Sequence, residues 1–193
     1  MELNGDTLLS LGLGLGLAAA CGFRVFVPLL VLSVAARYGY VPLAGGWEWV
    51  ASTPATIAFA SATVLEVAGY YIPWFDHLLD TVSTPAAVVA GMVTSASILG
   101  DLPPLLKWTA VVIGGGGAAA LVQGSTVALR AGSGVATAGL ANPVVASFEL
   151  FGATATAILA IVLPVLALLA VIVFIVILYR LSRRGFGGRR APA

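Results

Sequence analysis

The reading of this chain turns on residues 7–38, an apolar run interrupted by Cys21-Gly22-Phe23-Arg24-Val25-Phe26-Val27-Pro28. As one helix, 32 residues would reach about 48 Å at 1.5 Å per residue. The hydrocarbon core of a bilayer is only about 30 Å thick. Glycine and proline both disfavour a continuous helix, and here they flank an arginine. The run is therefore expected as two shorter helices, 7–21 and 25–38, joined by a break that carries a charge.

Lipid is the expected surrounding. Of 193 residues, 60% are hydrophobic and 9% are charged, against about 25% charge in a soluble domain. The mean hydropathy is +1.07. A chain of this length leaves roughly a third of its surface exposed after folding, so this much apolar surface needs the bilayer as its solvent. Soluble, secreted and nucleic-acid-binding classes are excluded, and no nucleic-acid partner is expected. The single cysteine, Cys21, excludes an intrachain disulfide, and the single histidine, His77, excludes a His-rich metal site. No cofactor and no bound metal are expected. The start carries Glu2 and Asp6 and no basic residue before Arg24. It lacks the positive region of a signal peptide and is expected to be retained.

Further apolar runs follow. Ser52-Thr53-Pro54 has the form of a helix start and opens a span, 53–72. Residues 74–82 are too short and polar to cross, and they read as an interfacial amphipathic helix with Trp74 in the aromatic belt. Ser83-Thr84-Pro85 repeats the start signal and opens a span, 84–100. Spans at 105–130, 143–162 and 164–181 complete the set, with a Gly/Ser/Asn loop over 131–142 and a tight turn at Pro164. The expected fold is an all-α polytopic transmembrane helix bundle with an interrupted first segment and a short interfacial helix. It has about six crossings (range five to seven) in a single transmembrane domain, 1–182, followed by an Arg/Gly-rich tail, 183–193. Five of the nine basic residues lie in the last fourteen positions, which places the tail in the cytoplasm by the positive-inside rule.

Small residues recur every fourth position at Gly12, Gly16 and Ala20, and at Ala87, Gly91 and Ser95. That spacing lets helix backbones approach closely; its first use is packing within the bundle, its alternative a homo-oligomer seam. Charges at membrane depth are costly and face a cavity or a partner. Arg24, Glu66 and Glu149 qualify, and the expected pairing is Arg24 with Glu66 or with Glu149. Asp76 and Asp80 share one helical face; with His77 they would bind a cation, relay protons, or form a solvated polar face. Gln123, Ser125 and Thr126 are polar mid-span groups. No Walker A motif, GxSxG elbow or CxxC is present, so no catalytic set and no enzyme activity are expected.

Three stretches together resemble a known family. They are Cys21-Gly22-Phe23-Arg24 with Pro28; Leu65-Glu66-Val67 with Ile72-Pro73-Trp74-Phe75-Asp76-His77-Leu78-Leu79-Asp80; and Pro85 with Gly91. The resemblance is to the bacterial integral-membrane family catalogued as domain of unknown function 4126, over roughly residues 5–180. It implies a small multi-pass protein of the bacterial inner membrane and raises the functional standing of Arg24, Pro28, Glu66, Asp76 and Asp80. It implies no activity. The expected function is a transporter or channel-like protein for an ion or small solute, with Arg24 and Glu66 in the pathway. The alternatives are a non-transporting scaffold or assembly factor, and a lipid-handling membrane protein.

Overall fold

In the computed structural model the run of residues 7–38 is divided as expected, into α1 (Gly5–Cys21) and α2 (Phe26–Arg37). The structure describes residues 5–72, 75–100 and 102–187; the side chains of 75–77, 178, 179 and 181–187 lie outside that description. The chain continues through a 3-10 turn (Glu48–Ala51), α3 (Thr53–Tyr70), α4 (Phe75–Ile98), α5 (Pro104–Thr109), a π-helical stretch (Ala110–Gly116), α6 (Gly117–Thr137), α7 (Asn142–Val162) and α8 (Pro164–Gly187). No strand occurs among the described residues.

Burial is inverted relative to a soluble protein. Leu65 is 72% exposed and its neighbour Glu66 6%. Leu129 is 67% exposed beside Arg130 at 3%, and Phe148 is 71% exposed beside Glu149 at 4%. Water would make that arrangement doubly costly, whereas lipid favours apolar side chains outside and charges within. Leu78–Ile98, Pro104–Thr137 and Asn142–Val162 are each long and apolar enough to cross a membrane, and Gly5–Cys21, Phe26–Arg37 and Pro164–Ile177 are shorter apolar helices. The chain is a helical membrane protein.

Contacts set the helix directions. Asp6, Tyr40, Ala44, Gly100, Ile161 and Pro164 line one cavity of about 550 Å³. The start of α1, the end of α2, the end of α4 and the α7–α8 turn therefore share one end of the bundle, the vestibule end. Near it, the Ser33 hydroxyl donates to the carbonyl of Val50 at 2.6 Å and lies 2.8 Å from the Thr56 hydroxyl. At the other end of the same antiparallel pair, Glu66 of α3 meets the first residues of α2. Helix α1 thus runs away from the vestibule end and α2 returns to it, as a hairpin whose tip is buried inside the bundle. Gly22 sits in that tip because α6 leaves no room for a side chain: an added Cβ would lie 2.5 Å from Val122 Cβ and 2.9 Å from the Gln123 nitrogen.

Three expectations are corrected. Residues 75–82 form no separate interfacial helix; they are the first turns of a continuous α4, with Pro85 inside it. Ser83-Thr84-Pro85 therefore starts nothing, unlike Ser52, whose side chain accepts from the Ala55 N–H and caps α3. The Thr84 hydroxyl donates instead to the Asp80 carbonyl one turn back. Trp74 lies outside the described residues. The third correction is the loop at 131–142. Helix α6 continues to Thr137 and ends only where Ala138 and Gly139 turn to φ 52° and 83°. Pro164 does divide two helices, since α7 stops at Val162 and α8 begins with the proline, where its missing N–H costs nothing.

The small residues are used within the bundle. Gly12 lies against the Pro164 backbone, and Gly16 against Ala160 and Ala167. Ala20 is fully buried. An added Cβ at Gly91 would stand 2.7 Å from Ala119 Cβ and 2.8 Å from the Gly115 oxygen. Gly91→Ala should accordingly destabilise the α4–α6 contact by about 1–3 kcal/mol, as overpacking does. Gly124→Ala, which meets nothing within 4 Å, should be neutral or stabilise by up to about 1 kcal/mol. Unfolding in mixed micelles separates the two, and equal midpoints would contradict the packing described.

Candidate functional site

The site grows out of the break. A helix begins with N–H groups that have no partner in their own helix, and each left bare in lipid costs several kcal/mol. The N–H groups of Gly22, Phe23 and Arg24 still bond back to carbonyls of Ala19 and Ala20. The next two turn to another helix. Val25 N–H donates to Glu66 Oε1 at 2.8 Å, and Phe26 N–H to Glu66 Oε2 at 3.0 Å. Pro28, buried in the first turn of α2, brings no N–H at all. A carboxylate from α3 thus closes the amino end of α2, where the helix dipole also favours negative charge.

Arg24 leads from this tip into a network. Its Nη2 donates to the Ala146 carbonyl at 2.9 Å and lies 3.3 Å from Glu149 Oε2. Arg130 of α6 donates to the same Glu149 oxygen and, through Nη1, to Asp80 Oδ1 at 2.5 Å. Both guanidinium groups lie over the ring of Tyr70, at 3.8 and 4.1 Å from its centre. Such stacking on an aromatic face is favourable, most of all away from water. The Tyr70 hydroxyl is 3.2 Å from Asp80 Oδ1 and 3.1 Å from Ser83 Oγ. Four ionisable side chains, from the break, α4, α6 and α7, are thus linked around one tyrosine of α3, with Glu66 one helical turn before it. Arg24 Nε and Nη1, Arg130 Nε and Glu149 Oε1 are buried without a hydrogen-bond partner.

The structure resolves the pairing that the sequence left open. Arg24 forms its ion pair with Glu149, while Glu66 binds backbone. Asp80 joins Arg130. Asp76 and His77 fall in the first turn of α4, and their side chains lie outside the described residues. Among the described residues no group of three His, Cys, Asp or Glu is placed to hold a metal ion. Arg130, Tyr70 and Ser83 were missed. Arg130 closes the apolar run 105–130, yet Gln123, Thr126 and Arg130 stand at i, i+3 and i+7 and are all buried. Tyr70 follows Glu66 by one helical turn. That periodicity was the available signal.

A family model described as Domain of unknown function (DUF4126) matches residues 11–184. The match spans most of the chain, and the chain belongs to this family. No curated protein and no solved structure matches it significantly.

Glu149 is the carboxylate shared by both arginines, so Glu149→Ala should destabilise strongly, by about 3–5 kcal/mol, because it takes the ion-pair partner from the buried Arg24 and leaves Arg130 with Asp80 alone. Adding Arg130→Ala should cost less than the sum of the two single changes. A parent-like unfolding midpoint for Glu149→Ala in micelles would contradict the network.

Proposed function

We propose that this family member is a small membrane transporter or channel-like protein for an ion or small solute, with Arg24 and Glu66 in its pathway. One observation carries the reading: a helix broken inside the bundle, whose amino end is held by Glu66 and whose adjacent arginine retains unused donors. Transporters build ion and substrate sites at such interruptions, where half-helix ends supply partial charge. A network kept only for packing would be a poor choice, because apolar residues of similar volume stabilise as well or better. A scaffold would offer partners its small-residue faces and its basic tail, and of these Gly12, Gly16 and Gly91 already pack inside the bundle. No enzymatic activity is proposed.

Orientation follows from charge. Arg37 and Lys107 lie near the vestibule end, at the close of α2 and in α5. Helix α8 starts at that end and leads to the arginine-rich tail. With more positive charge at the other end, the network and the tail face the cytoplasm of a bacterial inner membrane. The bilayer is the constant partner, and a homo-oligomer would use the outer apolar faces.

Reconstituted in liposomes, the parent should move at least one species from a panel of protons, alkali cations and small anions. Glu66→Gln, which keeps an oxygen to accept from α2, should lower net flux about tenfold or more while the protein stays folded. Background flux for every species by the folded parent would refute transport. A reporter fused after Ala193 should be active on the cytoplasmic side only.

A further inference from the structure

We propose that the amino end of α2 together with Arg24 is an oxyanion site in which Glu66 stands in for a bound anion, and that the anion enters as Glu66 leaves carrying a proton. This deepens the transport reading and rests on it. The seat already accepts a carboxylate: Glu66 takes the Val25 and Phe26 N–H groups at 2.8 and 3.0 Å. Two donor-bearing atoms of the next-door side chain are unused, since Arg24 is 1% exposed and neither its Nε nor its Nη1 has a partner. Arg130 Nε adds a third, against one unused carboxylate oxygen within the ion-pair network, Glu149 Oε1. A surplus of donors calls for an acceptor-rich ligand, and guanidinium with backbone N–H suits carboxylate, phosphate or sulfonate oxygens.

Charge explains the proton. Glu66 faces Cys21 of α1, Arg24 at the break and Glu149 of α7, and through Glu149 it adjoins Arg130 of α6, Asp80 of α4 and Tyr70. Counting Glu66 itself, two guanidinium groups already oppose three carboxylates. A further anion would concentrate negative charge in a low-dielectric site, where like charges repel strongly. If Glu66 takes up one proton as the anion takes its place, the charge of the network is unchanged. Release on the far side frees the anion, Glu66 gives its proton to water on that side, and the carboxylate returns to α2. One proton and one negative charge then cross together, and the net charge moved is zero. The ligand is a free solute or a lipid headgroup. The lipid source has its own feature, an apolar groove of about 480 Å³ that begins at Val25 and Phe26 and runs past Leu29, Phe59 and Val89.

The test uses the purified full chain and methanesulfonate, an oxyanion whose charge does not change with pH. Binding by calorimetry should be tighter by about tenfold or more at about pH 5.5 than at about pH 8 for the parent, the size expected for a carboxylate that must protonate first. Glu66→Gln should bind tightly at both pH values and retain anion exchange while losing proton-coupled uptake. Arg24→Lys, which keeps the charge and loses the planar fork, should weaken binding at both. In nanodiscs, competition by phosphatidylglycerol assigns the lipid source, and indifference to it assigns the free solute. Parent binding that is equal at both pH values, or undiminished in Arg24→Lys, overturns the site. Proton or cation flux in liposomes without any anion dependence also overturns it and leaves transport standing. Tight pH-dependent binding with no flux of any species keeps the site and removes transport.

Discussion

Everything in this bundle depends on how the amino end of α2 is satisfied away from water. A helix that starts inside a membrane protein exposes N–H groups where no solvent reaches, and irregular backbone is tolerated there only when protein supplies the partners. Glu66 supplies them from 40 residues away. Its own charge then needs compensation, which the α2 dipole and Arg24 contribute. Arg24 in turn requires Glu149, Glu149 draws in Arg130, and Arg130 reaches Asp80. The network is a chain of obligations that begins with two backbone donors.

The same logic gives the inside-out distribution of side chains. Glu66, Arg130 and Glu149 each have an exposed apolar neighbour in sequence, so these helices turn their polar residues to one another and their leucines and phenylalanines to lipid. Glycine and alanine at the helix contacts bring α1, α4, α6, α7 and α8 close enough for that interior to stay dense. The π-helical stretch in front of α6 fits this arrangement: its Gly115 packs against Ser95 and Gly91, where any side chain would collide.

Much of the fold was legible from residues alone because membrane helices are written in long apolar runs. The break at Gly22–Arg24 followed from length against bilayer thickness, and the turn at Pro164 from proline geometry. Local signals misled where tertiary contact overrode them. Ser83-Thr84-Pro85 has the form of a helix start, yet in a bundle the neighbouring helices hold a proline inside a continuous helix. Gly132 and Gly134 read as loop and are helical, since nothing ends α6 before the left-handed Ala138. Of the site, Arg24, Glu66 and Glu149 stood out as ionisable groups in apolar runs, whereas Arg130 was hidden by its position near the apparent edge of a span. Which carboxylate faces which arginine was beyond reach, because it is set by helix directions and rotations that only packing decides.

The central claim is the bond between the Glu66 carboxylate and the α2 amino end in the bilayer. The most direct measurement is a solid-state NMR distance between the Val25 amide nitrogen and the Glu66 carboxyl carbon in lipid-reconstituted protein. Hydrogen-bond geometry predicts a separation below about 4 Å. A separation of more than about 6 Å would mean that α2 begins without its cap and would contradict the account.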